Sequence, residues 1–171
     1  MKNFNSRAFG FNFTNRSASL AAREAERLVK LNPNARELKF FNEVDDALYV
    51  LADHQRLVQV FVNLYTNAVD ASEPGGYIQT TAKATRDKVQ IRITDTGHGI
   101  HSSIRDKIME PFFTTKTPGE GTGLGLALAD NIVNDYNGSV RLQARRGRRA
   151  GTEAIVQLPR ATAPMEARVN G

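Results

Sequence analysis

The chain has 171 residues, 40% hydrophobic and 24% charged, which is the balance of a single soluble globular domain. It contains no cysteine, which excludes disulfide frameworks, thiolate nucleophiles and cysteine-ligated metals. With no apolar run near the roughly 20 residues that span a bilayer and no signal-peptide pattern, the piece is expected to be cytoplasmic and to make no membrane contact.

The first 16 residues read as an arm or the remnant of a preceding segment, with Phe4, Phe9, Phe11 and Phe13 suiting either a short strand or an extended arm. Helical spacing of Leu20, Glu24, Arg27 and Leu28, with Ser17 as cap and Asn32-Pro33 as stop, predicts a helix from about Ser17 to Leu31. "ELKFFNEV" and "ALYVLAD" read as two strands with a turn at Asp45-Asp46. Asp53 to Ala71, free of Gly and Pro and capped by Asp53, is the central helix.

"YIQTTAKA" and "KVQIRITD" predict an antiparallel pair. A glycine-rich region follows, with a short helical stretch at "SSIRDKIM", and then a helix over "GLGLALADNIVNDYNG" that stops at Gly138. "SVRLQARR" and "GTEAIVQLP" form a last strand pair, and the residues from Arg160 read as a disordered tail. This order lacks βαβ alternation, so the fold class is a two-layer α/β sandwich, a mixed and mostly antiparallel sheet against about three helices. The domain itself is placed at residues 17 to 159.

The formal net charge of +5 suits an anionic partner such as a nucleotide. Much of it lies in Arg141, Arg145, Arg146, Arg148 and Arg149, read as a solvated hairpin tip; with no aromatics interleaved, direct nucleic-acid binding is not expected.

On the central helix, Leu57, Val60, Phe61, Leu64, Ala68 and Ala71 share an apolar stripe that neighbours widen to about 200° of arc. Asn63 and Asn67 stack one turn apart on the polar remainder, either as a solvated edge or as amide oxygens for a hard cation on phosphates. In "DTGHGI", Asp95 ends a strand where Gly97 and Gly99 turn the chain. The segment reads as a plain turn or as a carboxylate that accepts from an exocyclic amine while a flat ring approaches the glycines. "GEGTGLGL" places glycines before a helix, where free N–H groups face an anion; it is neither a Walker loop nor a dinucleotide fingerprint. Between them, "EPFFTTKTP" is either a core-plugging aromatic pair or a lid whose lysine reaches toward phosphate.

"NLYTNA", "DTGHGI", "EPFFTTK", "GEGTGLGL" and "GTEAIVQLP" occur in the order found in histidine-kinase catalytic domains, and the chain resembles the nitrogen-regulatory and dicarboxylate-sensor branch of that family. The resemblance implies the Bergerat ATP-binding fold, ATP and Mg²⁺ as cofactors, and Asn67 on the metal with Asn63 beside it. It implies Asp95 on the adenine amine, Gly97, Gly99 and Ile100 along the adenine, and Thr152 nearby. Gly121, Thr122, Gly123, Leu124, Gly125 and Leu126 are then expected near the phosphates, with Thr117 in the lid and Lys116 toward the γ-phosphate. Asn63, Asn67 and Lys116 are the implied catalytic set. Asp70, counted with the nucleotide-binding residues, stands where many histidine kinases place a phosphate-contacting lysine, so that contact is missing or supplied by Lys116.

Related ATPases such as gyrase carry a glutamate one turn before the metal-binding asparagine; here that position is Asn63, which argues for phosphoryl transfer over hydrolysis. His54, His98 and His101 lack the family's phosphoacceptor context and read as structural or solvated. The implied partners are ATP or ADP, the dimerisation and histidine-phosphotransfer domain of the parent kinase, and a downstream response regulator. The alternatives are a nucleotide-binding regulatory module and an ATPase or serine kinase of the same fold.

Overall fold

The computed structural model describes residues 14–116, 121–145 and 150–163. Phe4, Phe9, Phe11, Phe13, Thr117, Arg146, Arg148 and Arg149 lie outside them. The elements are β1 (Thr14–Ser17), α1 (Ala18–Val29), β2 (Lys39–Glu43), β3 (Tyr49–Ala52), α2 (His54–Ala71), β4 (Tyr77–Ala84), β5 (Lys88–Asp95), α3 (Gly125–Asp135), β6 (Ser139–Ala144) and β7 (Thr152–Ala161). The strands form one sheet in the order β1-β3-β7-β5-β4-β2, with β6 also paired to β7. Every pairing is antiparallel except β2 with β4, which are parallel. The mixed, mostly antiparallel sheet with three helices is the expected class.

β2 and β3 are not neighbours. They stand on opposite sides of the sheet, because β2 takes β4 as its partner after the chain has crossed through α2. Both strands and the turn at Asp45-Asp46 are present, with Leu48 N donating to Asp45 O at 3.1 Å, but the turn joins strands that do not pair. β7 reaches past the expected boundary at residue 159: Arg160 and Ala161 pair with Val50 and Tyr49 of β3 and belong to the sheet. Thr14 to Ser17 likewise belong to the sheet, in register with Ala52 to Tyr49.

The helices bury one face against the sheet. α2 contributes Leu57, Val60, Phe61, Leu64, Tyr65, Ala68 and Val69, all at most 5% exposed, and meets Ile78, Ile91, Ile93, Val156 and Leu158 of the strands. Tyr65 is wholly buried and shares a hydrogen bond with Thr80 Oγ1 at 2.8 Å; burial pushes its phenol far above the ordinary range. Asp53 caps α2 by accepting from Arg56 N at 3.0 Å, and Ser17 caps α1 through Leu20 N at 3.1 Å.

α1 forms where helical spacing placed it, and its alanines make the buried face. Ala18, Ala21, Ala22, Ala25 and Val29 are buried, while Leu20 and Leu28 are 54% and 50% exposed. Small side chains let α1 lie close to its neighbours, so the larger leucines turn outward. α3 ends on a left-handed Asn137 (φ 57), with Gly138 N donating to Val133 O at 2.9 Å. "SSIRDKIM" forms a single 3-10 turn, Ser102–Ile104, followed by further turns rather than a helix.

Candidate functional site

In β5 the residues facing the helices are Val89, Ile91 and Ile93, all buried, and the next position of that row is Asp95, 5% exposed. A carboxylate there must be held by hydrogen bonds. Asp95 Oδ1 accepts from Gly97 N and from Thr152 N, each at 2.9 Å, which ties the end of β5 to the start of β7. Burial raises the carboxyl above its ordinary pKa, an effect opposed by those two N–H groups and by the charges of His98 and Arg145. Asp95 looks into a cavity of about 200 Å³ walled by Leu64, Ala68, Ile93, Leu142 and Ala154, with Gly99, Ile100 and Thr152 at its edge. An apolar slot with one anchored acceptor suits a flat ring that carries an amine.

The inner cavity continues into an outer one of about 420 Å³, the two sharing Asn67, Ile104, Ile108, Thr115, Lys116 and Leu126. Asn63, Thr66, Phe113, Thr114, Gly121, Thr122, Gly123 and Gly125 complete the outer wall. α2 presents Asn63 and Asn67 to it from its polar side, and the Nδ2 atoms of both are buried without a hydrogen-bond partner. α3 begins at this wall: Leu124 occupies its N-cap position without a side-chain cap, and its first turn carries no acid. The helix end thus offers N–H groups to an anion. Among the described residues lining the outer cavity there is neither carboxylate nor histidine.

Glycines shape the walls in different ways. A Cβ on Gly123 (φ 66) would lie 2.4 Å from Phe112 C, whose own N donates to Gly123 O at 2.9 Å, so the loop and the glycine segment are laced backbone to backbone. Gly97 does not line the cleft. The space of its missing side chain is filled by Ala71 O, 2.2 Å from the Cβ position, so this glycine serves the packing of β5 against the end of α2.

The other expected residues fall as follows. Asp70 lines the inner cavity and pairs with Lys116. Leu126 lines both cavities, whereas Leu124 lines neither. His54 pairs with Glu24 at 2.8 Å, His98 Nδ1 lies 2.8 Å from Gly99 O, and His101 accepts from Ser103 N at 3.3 Å. Arg145 is not a solvated hairpin residue: it lies over the Tyr77 ring and donates to Tyr77 Oη at 2.5 Å. Sequence reasoning missed Ile104 and Ile108, which wall both cavities; their spacing of four within "SSIRDKIM" was the available signal.

Residues 52–162 match the family model described as histidine kinase-, DNA gyrase B-, and HSP90-like ATPase. The sensor histidine kinase ZraS of Escherichia coli K12 is 41% identical over 134 residues, 78% of this chain but 28% of ZraS. The chain thus spans less than a third of the length of such relatives. Among solved structures, the catalytic domain of histidine kinase ThkA is 32% identical, with a TM-score of 0.75 over 86% of this chain and 95% of that one. ThkA is also solved in complex with the response regulator TrrA, at 28% identity and a TM-score of 0.72 over 87% and 42% of the two chains. Full-length ShkA in complex with AMPPNP is 29% identical, with a TM-score of 0.76 over 91% of this chain and 33% of that one.

Proposed function

Because the chain belongs to the histidine kinase-, DNA gyrase B- and HSP90-like ATPase family and is an ATP-binding catalytic domain of the sensor-histidine-kinase kind, we propose that it passes the γ-phosphoryl group of ATP to a histidine on a separate dimerisation helix. The adenine would lie in the inner cavity with its amine on Asp95, and the phosphates in the outer cavity against the start of α3. The buried, unpartnered Nδ2 donors of Asn63 and Asn67 suit phosphate oxygens or metal-held water, and their amide oxygens would serve a divalent cation that arrives already on the phosphates, because Mg²⁺ retains waters and phosphate oxygens and asks little of the protein. When bound, Mg²⁺ would neutralise developing phosphate charge.

The observation that carries this reading is the composition of the outer cavity. None of its described lining residues is a carboxylate or histidine, so none of them deprotonates a water, and an amide at Asn63 is no base. Nor does it hold an acceptor, since His54 and His101 lie outside both cavities and His98 faces the inner one. The site therefore supplies positioning and charge, the two terms that dominate phosphoryl transfer, and the nucleophile with its base comes from elsewhere. Phe112, Leu124 and Leu128, exposed by 75%, 39% and 38%, border the glycine segment and offer an apolar surface to a helix. A response regulator would take the phosphoryl group onward, on the cytoplasmic side of the parent kinase.

Incubation with γ-labelled ATP and the separately supplied dimerisation helix pair of the parent tests this. Label is expected only on the added helices. It is lost when their histidine is changed to glutamine, and reduced about tenfold or more by Asn67→Ala here. Steady phosphate release by the chain alone, at the rate of a dedicated ATPase, would overturn the reading.

A further inference from the structure

Lys116 is placed more definitely than an exposed loop lysine requires. Its Nζ donates to Asp70 Oδ2 across the cleft, from the loop to α2. Asp70 lines the inner cavity but not the outer, whereas Lys116 lines both, so the ammonium stands at the waist between the apolar slot and the polar compartment. The rest of the residue is fixed as well. Its backbone N donates to Thr114 Oγ1 at 3.1 Å. Its stem lies where a side chain on Gly121 would intrude, with Lys116 Cδ 2.8 Å from that Cβ position.

Resting on the nucleotide reading above, we propose that Asp70 is a positioning residue: it holds the Lys116 ammonium at the waist, where the first phosphates after the nucleoside pass, and so sets the preference for nucleoside polyphosphates over the bare nucleoside. A free lysine must surrender rotamer freedom when it meets an anion, and a lysine already held by a carboxylate has surrendered much of it. The carboxylate by itself would repel phosphate. Paired, its charge is cancelled, and the ammonium keeps two N–H bonds for phosphate oxygens.

The test is the ratio of ADP affinity to adenosine affinity, measured by competition against a fluorescent adenine nucleotide. The proteins are the wild type, Asp70→Asn, Lys116→Met, the double variant, and the exchange Asp70→Lys with Lys116→Asp. Asp70→Asn and Lys116→Met are each expected to lower the ratio about 3- to 10-fold, the loss falling on ADP more than on adenosine. The double variant should fall no further than Lys116→Met alone, and the exchange should recover part of the ratio by returning a cation to the waist. A ratio unchanged or raised in Asp70→Asn, while the wild type binds both ligands, overturns this inference and leaves the nucleotide reading intact. Equal losses for ADP and adenosine in Asp70→Asn also overturn it, since general damage would then explain them. Failure of the wild type to bind either ligand removes the nucleotide reading and this inference with it.

Discussion

Asp95 completes a row of apolar side chains with a charge, and the two consequences of that pull in opposite directions. In the unfolded chain its carboxyl has the ordinary pKa; in the folded chain burial raises it. The folded state therefore takes up the proton first, and this group's contribution to stability declines as pH rises from the unfolded to the folded pKa, remaining low above it. Asp95→Asn keeps an acceptor oxygen for Gly97 N and Thr152 N but removes the buried charge. At neutral pH the variant is expected to melt at the same or a higher temperature than the wild type. In the proposed pose it should also bind ADP more than tenfold more weakly, because an amide N–H would then meet the adenine amine. In the wild type, ADP binding should weaken as pH falls through the raised pKa. With Oδ1 already holding two N–H groups, the proton goes to Oδ2 and turns an acceptor into a donor. Calorimetric titrations across pH, paired with melting curves, measure both effects.

At the scale of the element, a glycine's neighbours decide what it is for, and those neighbours are invisible in the sequence. Gly97 and Gly123 both sit in glycine-rich motifs, yet one faces the carbonyl of Ala71 and the other the backbone of Phe112. Gly97→Ala forces the end of β5 away from α2 and is expected to cost about 1–3 kcal/mol of stability, read from denaturant midpoints. Gly123→Ala acts on a loop at the surface. Its Cβ would unlace Phe112, and φ 66 is unfavourable for alanine, so nucleotide affinity should fall several-fold while the melting temperature moves little. Elements that carry their signals locally were readable. The capped α2, the β4–β5 hairpin and the β6–β7 pair each have their period and boundary residues in one stretch of chain. The buried face of α1 was not readable, since alanines and leucines both fit helical spacing and only the packing distance to its neighbours selects the alanines.

Across the whole molecule, the pairing partners of strands are set by the layers and not by chain neighbours, which is why β2 and β3, consecutive in the chain and joined by a turn, lie apart. The same long-range assembly makes the cleft. Its walls come from α2, the end of β5, the start of β7, the loop reaching Lys116 and the start of α3, elements that meet only in the folded state. A ligand filling both cavities therefore binds the native chain and has no site in the unfolded one. At a free concentration a hundred times its Kd, such a ligand stabilises by about 2.7 kcal/mol. For a chain of this size that corresponds to a rise in melting temperature of about 5–10 °C. Mg²⁺-ADP should produce that rise, and Mg²⁺ alone should produce almost none, because Asn63 and Asn67 offer neutral amides and the Asp70 carboxylate is already paired with Lys116. Adenosine should give a smaller rise than ADP at the same concentration, since it leaves the outer cavity to water. Asp95→Asn should start from an equal or higher melting temperature and gain little from Mg²⁺-ADP, which separates loss of the adenine contact from loss of the fold. Scanning fluorimetry of both proteins with each ligand gives these shifts directly. A large rise with Mg²⁺ alone, or an undiminished ADP shift in Asp95→Asn, would show that the cleft is not held together by the nucleotide in the way its walls indicate.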